Sequence, residues 1–100
     1  MLGVQASTLE SHGAVSESVV AEMATGALRI ATANLAVAVS GVAGPGGGSV
    51  EKPVGMVCFA WASPFSVQTE TCYFGGDRAA VRSQTIEHAL AGLLARIPLD

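Results

Sequence analysis

A chain of 100 residues, half of them hydrophobic and 13% charged, makes one small domain (1–100) and is far from the composition of a disordered segment. Its net charge of −3 and its lack of a basic run exclude a nucleic-acid backbone as the main partner, which needs clustered Lys and Arg. No apolar stretch approaches the ~20 residues that cross a bilayer, so no membrane partner is expected.

Leu2 and Val4, at the start, read as the end of something already packed. Ser7-Thr8-Leu9-Glu10 fits the capping box S/T-x-x-E and opens one short helical turn, with Gly13 as its C-cap. Ser16 is the next N-cap, and Glu17 suits the positive end of a helix dipole. Val20, Met23, Ala24, Ala27 and Leu28 then recur at i, i+3, i+4, i+7 and i+8, which predicts an amphipathic helix over about 17–31. The run 35–39 is apolar without alternation and predicts a central strand covered on both faces.

Residues 40–55 hold six of the twelve glycines and two of the four prolines, so they predict a long, backbone-rich loop. The segment 54–62 reads as a second buried strand, and Ser63-Pro64 as a turn. In 67–74 Val67, Thr69, Thr71 and Tyr73 fall on one side, and Gln68, Glu70, Cys72 and Phe74 on the other. That alternation predicts an edge strand, antiparallel to its predecessor. Gly75-Gly76 breaks the chain, Asp77 caps a helix, and Val81, Ile86, Ala89, Leu90, Leu93, Leu94 and Ile97 form its stripe until Pro98. Helix, strand, strand, strand, helix gives an α/β layered fold.

Several motifs carry possible chemistry. The glycine loop fails both standard nucleotide fingerprints, because no Gly-Lys-Ser/Thr occurs and no helix follows it. What remains is a row of backbone N–H groups able to form an anion-binding concavity. Arg78 and Arg82 stand four apart at the start of the last helix, where an anion fits. Lys52, beside Glu51, reads as a charged loop lysine rather than a general base. Cys58 and Cys72 fall in strands and read as buried, reduced thiols rather than a disulfide. Neither His12 nor His88 stands at metal-ligand spacing from them, so no metal site is predicted. The N-terminus has no basic region followed by an apolar core, and a cytoplasmic location is expected. So apolar a composition in so short a chain leaves surface for another copy, a partner or a missing piece to cover; a homo-oligomer is expected.

Four ordered motifs resemble one family: His12-Gly13-Ala14-Val15-Ser16; Ser40-Gly41-Val42-Ala43-Gly44-Pro45-Gly46-Gly47-Gly48; Glu51-Lys52-Pro53-Val54-Gly55; and Gly76-Asp77-Arg78-Ala79-Ala80-Val81-Arg82. Together they are similar to the CinA C-terminal domain, the nicotinamide-nucleotide amidohydrolase family. The resemblance implies a layered α/β/α domain that hydrolyses the carboxamide of nicotinamide mononucleotide to nicotinate mononucleotide and ammonia, with no cofactor. It implies a serine nucleophile assisted by lysine and tyrosine, from segments reading approximately E-S-C-T-G-G and Y-x-N-x-x-K. Neither segment occurs in these 100 residues. The chain is therefore expected to match the C-terminal two-thirds of the family domain, incomplete at its N-terminus, with no catalytic residue of its own. Ser40, Gly41, Gly44, Gly46, Gly47 and Gly48, with Arg78 and Arg82, are the expected substrate-binding residues. The alternative is an inactive copy serving as a ligand-binding or oligomerising module.

Overall fold

In the computed structural model, the described residues are 4, 5, 7, 13, 15–31, 34–42 and 52–96. Thr8, Leu9 and Glu10 of the expected capping box, the role of His12, most of the glycine loop and the stop at Pro98 fall outside them.

Helix α1 (Glu17–Ala31) starts where the sequence has its capping serine. Ser16 Oγ accepts the Val19 N–H at 3.2 Å and donates to the Gly13 carbonyl at 3.1 Å. The cap satisfies one of the N–H groups that a first turn leaves without an intrahelical partner. Strands β1 (Ala36–Gly41), β2 (Met56–Ala62) and β3 (Val67–Tyr73) form an antiparallel sheet in the order β1-β2-β3, with Cys58 opposite Ser40 on one side and Thr71 on the other. Helix α2 (Arg78–Arg96) closes the described chain.

The run 35–39 does not give the central strand. Among the described residues β1 lies at an edge, and β2, buried along its whole length, is the centre. The reason lies in the pairing: among the described residues β2 is paired along both edges, with β1 and with β3, whereas β1 is paired along one edge only. On one face α1 sets Val20 and Ala24 against Ala38, Met56, Cys58, Ala60 and Ala62. On the other, α2 sets Ala89 against Val57, Phe59 and Trp61, with Val81 and Leu93 beside them. The result is the expected α/β/α layering, with small side chains under α1 and large ones under α2.

The alternation of β3 is as expected, and each side meets its own helix. Thr71 and Thr69 donate to the two Glu17 oxygens on α1 at 2.6 and 2.7 Å. Gln68, Glu70 and Cys72 turn to α2, where Arg96 and His88 receive them. The Thr71 and Thr69 hydroxyls hold the Glu17 carboxyl below its usual pKa of 4.5. A folded value below the unfolded one contributes stability above the unfolded pKa, and that stability is lost as pH falls through the folded value. Glu17→Gln is therefore expected to lower the urea midpoint at neutral pH and to flatten the acid limb below about pH 4.5. Parallel urea midpoints from pH 7 to pH 3 check this; an unchanged acid limb would sink it.

The α2 stripe divides. Ala89 is buried and Val81 and Leu93 pack on the sheet, while Ile86, Leu90 and Leu94, at i, i+4 and i+8, stand 53–69% exposed.

Candidate functional site

Antiparallel pairing brings three chain ends together: the end of β1, the start of β2, and the end of β3 where it runs into α2. Gly55 ties them. Its N–H donates to the Val42 carbonyl at 3.2 Å, its carbonyl accepts the Phe74 N–H at 2.9 Å, and the next residue's carbonyl, Met56 O, accepts the Val42 N–H at 2.9 Å. Gly55 stands at φ 93°, and a Cβ built there would overlap the Phe74 carbonyl oxygen. Only glycine gives this close approach in the left-handed region.

Above this tie opens a cavity of about 630 Å³. Val39 and Val57 of the sheet and Val81 of α2 give it an apolar lining, Gly41, Val42 and Val54 one wall, and Gly76, Asp77, Arg78 and Arg82 the opposite rim. The rim is held by the α2 cap, in which Asp77 Oδ1 accepts the Ala80 N–H at 2.8 Å and Asp77 O accepts the Val81 N–H at 2.9 Å. Gly76, at φ 102°, makes the turn into it. Four residues apart on one helix, the exposed Arg78 and Arg82 share a face. Two guanidinium groups beside an apolar cavity suit a flat apolar body that carries an anion.

Of the expected binding residues, Gly41, Arg78 and Arg82 meet at this cavity. Ser40, one step along β1 from Gly41, alternates to the other face with Ala38, pairs with Cys58, and is not among the lining residues. Gly44, Gly46, Gly47 and Gly48 lie outside the described residues. Sequence reasoning missed Val39, Val57 and Val81, which looked only like core positions, and did not single out Thr85. The available signal was i, i+2 spacing from Gly41 to Val39 and i, i+4 spacing from Val81 to Thr85. Lys52 is half-buried, and its Nζ lies 2.8 Å from where a Cβ on Gly13 would stand. Two of the four motifs thus meet each other at Gly13 and Lys52.

A second polar group lies between β3 and α2. The His88 ring sits in edge-to-face contact with Phe59, Trp61 and Phe74, at centroid separations of 4.7, 5.8 and 6.2 Å. Its Nε2 is 2.5 Å from Glu70 Oε1 and 3.6 Å from Cys72 Sγ. Spacing along the sequence put neither histidine with a cysteine; the fold brings Cys72 of β3 and His88 of α2 together across 16 residues of chain. Both cysteines are free, as expected, but only Cys58 is fully buried; it sits near Thr71 on the α1 side. Burial, and then the Glu70 charge, push the Cys72 thiol above its usual pKa.

A cleft of about 640 Å³ at the opposite end of the sheet is bounded by Asn34, Trp61, Phe65 and Arg96, and carries none of the four motifs. Among the described residues no helix is long and apolar enough to cross a membrane.

The family model of the CinA C-terminal domain matches residues 1–97. The chain is 55% identical over 95 residues to the nicotinamide-nucleotide amidohydrolase PncC of Escherichia coli K12, covering 93% of this chain and 57% of that protein. It is 53% identical to a CinA-like protein of Akkermansia muciniphila, covering 94% of this chain and 23% of that one. Among solved structures, a competence/damage-inducible protein from Agrobacterium tumefaciens superposes with a TM-score of 0.90 at 46% identity, over 95% of this chain and 59% of that one. A CinA superfamily protein from Escherichia coli gives 0.89 at 42% identity, over 96% and 56%. The chain thus spans a little over half the length of the amidohydrolase relative, 57% of it.

Proposed function

The chain belongs to the CinA C-terminal domain family, and from that premise we propose that it forms the substrate-binding part of a nicotinamide-nucleotide amidohydrolase. The substrate is nicotinamide mononucleotide. Water adds its oxygen to the carboxamide carbon, the C–N bond breaks, and the nitrogen leaves as ammonia. The observation that carries this reading is the meeting of Gly41, Arg78 and Arg82 at one cavity with an apolar lining. The pyridine ring and ribose would lie on Val39, Val57 and Val81, and the phosphate on the arginines. The backbone N–H groups of Gly44, Gly46, Gly47 and Gly48 would face the oxyanion that forms at the carboxamide. Ser40 is proposed to support this loop from the strand that leads into it. The nucleophile is proposed to come from an E-S-C-T-G-G segment, which these 100 residues lack.

Two arms test the proposal. In calorimetry, Arg78→Ala/Arg82→Ala is expected to weaken binding of nicotinamide mononucleotide by roughly 10–100-fold, since charge-assisted hydrogen bonds contribute about 1.5–3 kcal/mol. Incubated with the nucleotide, the 100-residue chain alone is expected to release no ammonia. Ammonia release would overturn the claim about the nucleophile; binding that ignores both arginines would overturn the site. Binding without hydrolysis is also what the second reading, an inactive ligand-binding module, expects. The readings separate when a segment carrying both E-S-C-T-G-G and Y-x-N-x-x-K is joined ahead of Met1: ammonia release then supports the enzyme.

The free thiols of Cys58 and Cys72 suit a reducing compartment, and the proposal places the protein in the cytoplasm. It includes self-association through the exposed ridge of Ile86, Leu90 and Leu94. Light scattering is expected to give a dimer or larger, and Leu90→Glu a smaller species; a monomeric wild-type chain would contradict it.

A further inference from the structure

Three groups with metal-ligating atoms converge between β3 and α2, at the cluster of Glu70, Cys72 and His88. Their ligand atoms all lie within 4.8 Å of one another. Glu70 and Cys72, two apart on β3, share the face that α2 covers, and His88 descends onto them from the helix. The arrangement is not a thiol–imidazole–carboxylate relay. A relay places the thiol on one imidazole nitrogen and the carboxylate on the other, whereas here both approach Nε2. One nitrogen carries one proton or one lone pair. If Nε2 holds a proton for Glu70, it offers no lone pair to the thiol. If it offers its lone pair to the thiol, the carboxylate faces that lone pair at 2.5 Å. A single cation between the three atoms removes this competition, because each then gives a lone pair to it.

We propose that Glu70, Cys72 and His88 bind a zinc-class divalent ion as three protein ligands, with solvent in the fourth position. The geometry favours it. Zinc–sulfur and zinc–nitrogen bonds at tetrahedral angles set sulfur and nitrogen ~3.6 Å apart, and Cys72 Sγ lies 3.6 Å from His88 Nε2. The oxygen–nitrogen separation in such a site is ~3.4 Å, so Glu70 withdraws by ~1 Å from its present 2.5 Å. Its side chain is 49% exposed and free to turn on the strand. His88 is held instead: Phe59, Trp61 and Phe74 surround its ring and fix its orientation, while 35% exposure leaves a way in for the ion. Thiolate with imidazole selects borderline-soft ions over magnesium or calcium. On binding, the thiol proton leaves to solvent, and the imidazole gives the Nε2 lone pair with its one proton on Nδ1, any proton on Nε2 leaving to solvent as well; no electron moves. The site lies on the α2 side of β3 and includes none of the residues that line the nucleotide cavity.

The test uses the full chain after chelator treatment, titrated first with zinc chloride by calorimetry and then with cobalt chloride by absorption. One ion per chain is expected, with a thiolate-to-cobalt charge-transfer band in the near ultraviolet. Cys72→Ser is expected to abolish the band. His88→Gln is expected to weaken zinc binding by more than the roughly 10–100-fold that loss of an outer-shell partner costs. Cys58, on the other face of the sheet, keeps its thiol in both variants. The wild-type titration depends on no variant: no binding at one equivalent overturns the proposal. A charge-transfer band that survives Cys72→Ser in chain shown by circular dichroism to be folded overturns the ligand set.

Discussion

Gly55→Ala is expected to destabilise the chain by roughly 3–5 kcal/mol, a large share of what a small domain has. The conformational part is about 1–3 kcal/mol, because alanine carries a Cβ into the φ of 93° that glycine holds. The contact part is larger than for most glycines: the new Cβ overlaps a backbone oxygen, that of Phe74, which cannot swing aside as a side chain would. Relief requires Gly55 and Phe74 to separate, which breaks the 2.9 Å hydrogen bond between them and strains the one to Val42. Those bonds hold the end of β1 against the start of α2, the two rims of the cavity. The same substitution should therefore weaken the nucleotide binding proposed for this cavity in the fraction of molecules that still fold. Denaturant midpoints check the stability claim, and a loss under about 1 kcal/mol would contradict it.

Trp61→Ala is expected to cost about 3–5 kcal/mol, the range for a large buried aromatic. Trp61 is 3% exposed, stacks on Phe59 at 5.6 Å, donates Nε1–H to the Ala89 carbonyl at 3.2 Å, and carries the Arg96 guanidinium 4.4 Å above its ring. Gly92 is what admits the indole: a Cβ there would overlap its Cε2, Cζ2 and Nε1. In a solvent-facing helix, Gly→Ala stabilises by about 1 kcal/mol. In α2 the sign is expected to reverse, with Gly92→Ala costing about 1–3 kcal/mol as an overpacked contact. In the Trp61→Ala background the clash is gone and the helix preference returns, so Gly92→Ala should become neutral or stabilising. A double-mutant cycle in denaturant measures that change of sign. Additive effects of the two substitutions would show that Gly92 does not exist to seat Trp61.

Much of this was legible in the sequence because local signals and tertiary packing agree. The Ser16 cap and the spacing from Val20 to Leu28 give α1 as Glu17–Ala31. The alternation of 67–74 gives β3 and assigns its two sides correctly, down to the threonines that meet Glu17. Asp77 caps α2 as read. What differed, among the described residues, was position across the sheet. An apolar run tells that both faces of a strand are covered; it does not tell whether both edges are paired, so 35–39 passed for the centre. The cavity was half legible. Arg78, Arg82 and Gly41 carry visible motifs, whereas Val39, Val57 and Val81 are indistinguishable from core until β1 and α2 are known to be neighbours. Ser40, which the resemblance sets beside the pocket, alternates to the other face of β1 from Gly41 and is not among the residues lining the cavity. Cys72 and His88 lie on separate elements, and no spacing rule anticipates contact between a strand and a helix. The weighting of Gly92 is a similar case: nothing near it in the chain announces the indole that lies on it.

The measurement that tests the account most directly is a titration of nicotinamide mononucleotide into the isotope-labelled chain, followed by backbone amide chemical shifts. The account predicts saturable shifts at Gly41, Val42 and from Gly76 to Thr85, with Glu70, Cys72 and the Phe65–Arg96 cleft unmoved. Shifts centred on that opposite cleft, or none at a saturating concentration of nucleotide, would contradict it.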